Sequence, residues 1–295
     1  MSTALLRSPW PLRAVWLALP ILLGPTLADA LGDHSRCVQV VASAMAWGTW
    51  VVGVGALALL RSVTLTAVRL IVPGALPLAV WSAVGADRVG WAVTGLVAAV
   101  VALVLLAGPG VSDAFVNGSS YGSERRVALR VPLSLLVVPV PLAWALTAAG
   151  LVTGPLLLAV EQWVAGVIAT VVGICVIGVA ARQFHLLSRR WLVFVPAGLV
   201  VHDPLHLHDP ILFPRSLLTG VGPALDGAAD ADDVIDATGG ALGLVLEVRS
   251  KEGLTVGVRR GRDKEERDGI HALLVTPTQP ASTLEIARSA RLPVG

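Results

Sequence analysis

Charge is what this sequence has least of. Only 14% of its 295 residues are Asp, Glu, Lys or Arg, where soluble globular chains carry about a quarter. Hydrophobic residues make up 55% and the mean hydropathy is +0.77, an excess that a soluble core does not explain. The charges crowd into the stretch after about Arg182, so one part of the chain faces an apolar solvent and another faces water. Cysteine is nearly missing too. Cys37 and Cys175 fall in or beside different apolar segments, with no CxxC and no His or Cys at ligand spacing, and both read as packing residues. A long basic run with interleaved aromatics is lacking and net charge is only +2, which removes nucleic acid from the list of partners. Nothing in the sequence asks for a cofactor.

Long apolar runs are what is present. Bilayer hydrocarbon is about 30 Å thick and a helix rises about 1.5 Å per residue, so a span needs about 20 apolar residues. Stretches 13–31, 38–60, 64–85, 89–107, 131–150 and 155–181 meet that test. Runs this long without alternation exclude barrel strands, so residues 1–185 are expected to form an all-α polytopic membrane domain of about six transmembrane helices. If six helices alternate, Arg7, Arg13, Arg61, Arg125, Arg126, Arg130, Arg182, Arg189 and Arg190 share one side and only Arg36 and Arg88 take the other. The positive-inside rule then puts both termini in the cytoplasm of a plasma-membrane protein, with Asp29, Asp33 and Asp87 outside. The first run imitates a signal peptide ending in Ala28-Asp29-Ala30, but it continues to Leu31 and holds Pro20 and Pro25, and a first transmembrane helix is the favoured reading.

Two ionisable residues fall inside the apolar runs. Arg69 lies about two turns into the third, within snorkelling reach of headgroups or of a packing partner. Glu161 lies about 9 Å of helical rise inside the sixth, as either a functional carboxylate or an interfacial one. Coupled transporters carry several such carboxylates and internal repeats, and here there is one Glu and no repeat that aligns. The longest connection, 108–130, reads as a Gly/Ser turn ending in Arg125, Arg126 and Arg130; these, with Arg182, Arg189 and Arg190, are candidate contacts for anionic headgroups or for the C-terminal domain.

Residues 186–295 form the second expected domain, small and β-rich. Apolar runs flank Pro196-Ala197-Gly198 as a hairpin, and a third strand is expected at 211–213. Leu244, Leu246 and Val248 alternate with Glu247 and Arg249, and Ser250-Lys251-Glu252-Gly253 reads as the turn into Leu254, Val256 and Val258. A charged turn over 259–268, a strand at 270–276 and a helix opened by Pro280 complete about six strands and one helix. The repeat of His202-Asp203-Pro204 as His208-Asp209-Pro210 reads as Asx-Pro turns, and the Asp-rich stretch 226–236 as a solvated acidic loop with no strand placed in it; neither matches a metal site.

The ending HALLVTPTQPASTLEIARSA, a last strand running through a Thr-Pro-x-x-Pro corner into a closing helix, resembles bacterial pleckstrin-homology-like domains. The opening RRWLVFVPAGLVVHD is similar to their first hairpin. The whole chain resembles uncharacterised multi-pass proteins of high-GC actinobacteria, which its Arg-for-Lys usage fits. No nucleophile elbow, zinc motif or phosphate loop occurs. The expectation is a non-enzymatic membrane protein presenting a PH-like domain to a protein partner, a peptide or an anionic lipid, with a transporter or channel subunit as the alternative.

Overall fold

Lipid offers no partner to a backbone amide, and the chain meets that demand with helices. A computed structural model describes residues 8–84, 86–261 and 263–295; the expected loop charge Arg7 and the expected third-span end at Gly85 lie outside them. Among the described residues six helices are long and apolar enough to cross a membrane, and the protein is a multi-pass membrane protein. The chain divides into two units, Met1–Ala114 with Pro141–His185, and Phe115–Val140 with Leu186–Gly295.

In the first unit the spans are α1 (Trp10–Gly32), α2 (Arg36–Ala58), α3 (Ser62–Ile71) continued by α4 (Ala75–Ala83), α5 (Val89–Ala107), α8 (Pro139–Ala159) and α9 (Trp163–Leu187). Ser35 caps α2 by accepting from the Val38 N–H at 3.4 Å. Leu12, Trp16, Leu19 and Leu23 form the buried stripe of α1, which packs against α2, α4 and α5. The Trp16 and Trp50 indoles each donate to the other's backbone carbonyl, at 3.1 and 2.9 Å. Gly53 permits this approach, since a Cβ there would lie 2.6 Å from the Trp16 ring.

The third span is broken. Pro73 has no N–H to give the Arg69 carbonyl, residues Val72–Gly74 tighten into one 3-10 turn, and beside this break the Trp144 indole donates to the Leu70 carbonyl at 2.9 Å. The fifth and sixth spans also depart from expectation. Pro155 sits inside α8 rather than opening α9, and the chain reverses at Val160–Gln162, with Glu161 at φ 63°. Close approach of α8 and α9 explains the shift. A Cβ on Gly150 would lie 2.8 Å from the Gly173 Cα, and one on Gly166 would lie 2.7 Å from Leu158, so the pair zips past Pro155 before turning.

The second unit takes its first strand from the connection between the fourth and fifth spans. Helix α6 (Pro109–Asn117) leads to β1 (Arg125–Ala128), and α7 (Leu133–Val137) follows. The Asn117 side-chain oxygen accepts from the Arg126 N–H at 3.1 Å and from Ser120 Oγ at 2.8 Å, which fixes the turn before β1. After α9 come β2 (Trp191–Val195), β3 (Gly198–His202), β4 (Ile211–Pro214), β5 (Leu218–Pro223), β6 (Val234–Asp236), β7 (Leu246–Arg260), β8 (Asp263–Val275) and α10 (Pro280–Ser289). One sheet has the order β1-β2-β3-β4, all antiparallel; the other is β5-β7-β8-β6, with β6 parallel to β8. Period two decides the core: Val127, Leu192, Phe194, Leu199, Val201, Ile211 and Phe213 share the buried face of the first sheet and meet Val221, Leu246, Val248 and Leu273 of the second.

Three expectations for this unit need correction. Ser250–Gly253 is no hairpin turn: Arg249 pairs Ala272 and Leu254 pairs Ile270, so these residues swell β7 into a bulge whose polarity mimics a turn. The true turn is at Gly261, at φ 65°, and the expected charged turn 259–268 is strand for most of its length. The Asp-rich stretch holds β6, and β5 was not foreseen.

Candidate functional site

The basic residues singled out by the sequence fall into different surroundings. Arg125 and Arg126 occupy β1, paired with Phe194 and Val193. Arg125 is exposed, while Arg126 pairs Glu124 at 2.7 Å and lies 5.6 Å from the Trp191 ring. The Arg126 hydrogen bond holds the Glu124 carboxyl below its usual range. Trp191 in turn stacks on His202, with ring centroids 4.8 Å apart and planes 16° apart, and His202 Nδ1 donates to the Arg189 carbonyl at 2.6 Å in the tautomer this contact requires. Burial pushes the His202 imidazole down, ahead of the opposite pull of that bond. Arg189 is exposed beside it, and Arg182 is exposed near the end of α9.

Arg190 is no surface residue. It is 2% exposed and grips Asp203, 1% exposed, with two parallel bonds of 2.9 and 2.7 Å. Its remaining donors reach the carbonyls of Ala237 at 3.0 Å and of Arg130. Asp203 also accepts from the Leu205 N–H at 3.0 Å and meets His206 Nδ1 at 2.9 Å. Burial alone raises the Asp203 carboxyl, but the His206 bond and then the charge and bonds of Arg190 outweigh it and hold the group at about 2. This network ties the β1 connection, the β2–β3 hairpin and the segment after β6 into one domain. It serves architecture: the Arg190 and Asp203 charges are paired and enclosed, with His206 half-buried at their edge.

Arg130 is exposed, with its backbone N–H bonded to the Thr276 carbonyl at 2.8 Å and a side-chain N–H to the Thr278 carbonyl at 3.3 Å. In the membrane unit, Arg69 is half-buried and donates to Ser112 Oγ at 3.2 Å, and Thr66 meets His185 Nδ1 at 3.2 Å. Glu161 is exposed in the α8–α9 turn, outside any helix, and has no ion pair among the described residues. The structure therefore brings Arg126 and Arg189 to one aromatic column, buries Arg190, and leaves Glu161 apart from Arg69.

No group of three or more His, Cys, Asp or Glu side chains able to hold a metal ion is found among the described residues. Sequence reasoning passes over Glu124 and Trp191, and it reads His202 and Asp203 only as part of an Asx-Pro turn. A signal for Asp203 was present: the β2–β3 register that sets Trp191 opposite His202 sets Arg190 opposite Asp203 one step further. Comparison with protein-family models, with curated proteins and with solved structures returned no match for this chain.

Proposed function

We propose that this is a non-enzymatic plasma-membrane protein whose helices hold a PH-like domain on the cytoplasmic face, where it meets a protein partner, a peptide or an anionic lipid. The observation that carries the reading is β1. A connection between the fourth and fifth spans supplies a strand to the sheet built after the sixth, and hydrogen-bonded strands share a compartment. Spans five and six must therefore cross and return, which supports the even spacing behind the arginine bias. The chain passes between its two units three times, so the domain is held by more than one leash. Two sheets with a terminal helix against β5 support the PH-like assignment, as do the exposed Arg125 and Arg189 the contact with anions.

The test is affinity capture of the tagged full-length chain in native-lipid nanodiscs. One protein captured saturably, or anionic lipid enriched over bulk, is the expected result; neither, with the domain intact, would sink the reading. Sidedness is tested with a single cysteine at Lys251 in a background lacking Cys37 and Cys175. An impermeant maleimide should label it only after cell lysis, and labelling of intact cells would reverse the topology.

A second reading, a transporter or channel subunit, draws on the broken third span with Arg69 one turn before Pro73. Proteoliposome flux that disappears in Arg69→Leu would favour it.

A further inference from the structure

A pair of leucines in the second unit is exposed where the chain itself leads into the membrane. Leu242 is 62% exposed and Leu244 48%, on the connection that precedes β7. Their neighbours turn inward: Val245 accepts a bond from the Ala224 N–H at 3.0 Å, and both pack on Val234, Ala272 and Leu274. The leucines are left outside that cluster.

The location of this connection is fixed by what it touches. A Cβ on Gly239 would lie 2.9 Å from the Pro132 ring, and one on Gly243 would lie 3.1 Å from Arg130 Nε. Gly239 and Gly243 have φ of 59° and 133°, so the loop follows a path that non-glycine residues rarely take, and that path lets it lie against Pro132 and Arg130. Pro132 immediately precedes the fifth span, Leu133–Ala159, and Arg130 is three residues before it, no more than about 11 Å of extended chain. A loop in contact with both residues therefore lies, by chain connection alone, close to the first residue of that span. Arg130 is exposed there and has no ion pair among the described residues.

We propose that Leu242 and Leu244, with Arg130 beside them, form a tip that inserts into the bilayer: the leucines enter the boundary between headgroups and acyl chains, and the arginine meets the phosphate of an anionic lipid. Apolar side chains flanked by a cation suit that interface, where each type finds its own solvent within a few ångströms. Leu225, next to Ala224, is also exposed but is followed by Asp226, so it forms the rim of the tip. This inference rests on the membrane-contacting reading given above and names its surface.

The full-length chain lacking Cys37 and Cys175 is given one cysteine at Leu242, or separately at Leu244, labelled with an environment-sensitive fluorophore. It is placed in nanodiscs of phosphatidylcholine and phosphatidylglycerol, with lipid carrying a shallow spin label. The expected result is quenching by the lipid spin label, with iodide quenching several-fold weaker than at a Lys251 control. Arg130→Gln should abolish the extra quenching that phosphatidylglycerol brings. Iodide access equal to that at Lys251 would overturn the proposal, and so would protection from iodide without lipid quenching, which would mean that protein covers the leucines. Failure here with partner capture intact would remove the tip alone; failure of both would remove the membrane-contacting domain.

Discussion

Replacing Asp203 with alanine would leave the Arg190 guanidinium buried with two backbone carbonyls and no counter-charge. Breaking one side of a buried pair costs about 3–5 kcal/mol, and the two carbonyls that Arg190 keeps place this case at about 3. Tenfold corresponds to about 1.4 kcal/mol, so amides that exchange through opening of this domain should exchange roughly a hundredfold faster. The reporting amides are those of Leu129, bonded to the Arg190 carbonyl, of Arg130, bonded to Thr276, and of Ala237, bonded to Leu274. Hydrogen exchange by mass spectrometry on the full chain in nanodiscs reads all three. The double variant Arg190→Met, Asp203→Leu should recover most of the loss, because apolar residues of similar volume need no counter-charge. The same pair sets an acid limit. Asp203 titrates at about 2 in the fold against 3.8 when free, so its contribution is whole above 3.8 and is lost as pH falls towards 2. Unchanged exchange in Asp203→Ala, or a double variant as damaged as the single one, would refute this reasoning.

Val127 is 4% exposed on β1, and Val127→Asp should expel the strand, so that trypsin cleaves at Arg125 and Arg126 in membranes where the wild type resists. Equal resistance would mean that β1 does not hold the connection. Trp144→Phe deletes the bond that satisfies the Leu70 carbonyl at the break in the third span, a loss of about 1 kcal/mol that should appear as earlier thermal aggregation in detergent. Gly173→Leu drives a side chain into the Gly150 backbone and should separate the fifth and sixth spans, measured by loss of cross-linking between cysteines on α8 and α9. His202 has its imidazole pushed down by burial, so the fold favours the neutral ring; its contribution is present above 6.5 and declines as pH falls below that value. Trp191 fluorescence should report the change, and His202→Phe, which keeps the stack on Trp191, should remove the pH dependence.

The legible and illegible parts of this fold separate by the range of the interactions that set them. The third strand, at Ile211, and the helix opened by Pro280 are local patterns and stand where the sequence puts them. The Ser250–Gly253 bulge was misread because turn chemistry and bulge chemistry use the same small and polar residues, and only pairing with Ile270 and Ala272 separates them. The expected sixth span opens at Pro155, because sequence cannot show that Gly150 and Gly173 bring two helices close enough to carry the ladder past it. The candidate site divides the same way. Arginines mark a face of the membrane by composition, but whether one is exposed, as Arg125 is, or sealed against Asp203, as Arg190 is, depends on strands far apart in the chain.

By itself the sequence determined the solvent of each part. Apolar runs of about 20 residues have no stable form but helices across lipid, and period-two alternation after residue 190 has none but sheets. Those are properties of a segment and its surroundings, so they can be read one segment at a time. Tertiary structure alone decided that residues 125–128 leave their loop to complete a sheet begun more than sixty residues later, and that Gly243 lies beneath Arg130. Edge pairing and close approach depend on which surfaces are left uncovered once everything else has folded, and no local pattern carries that information.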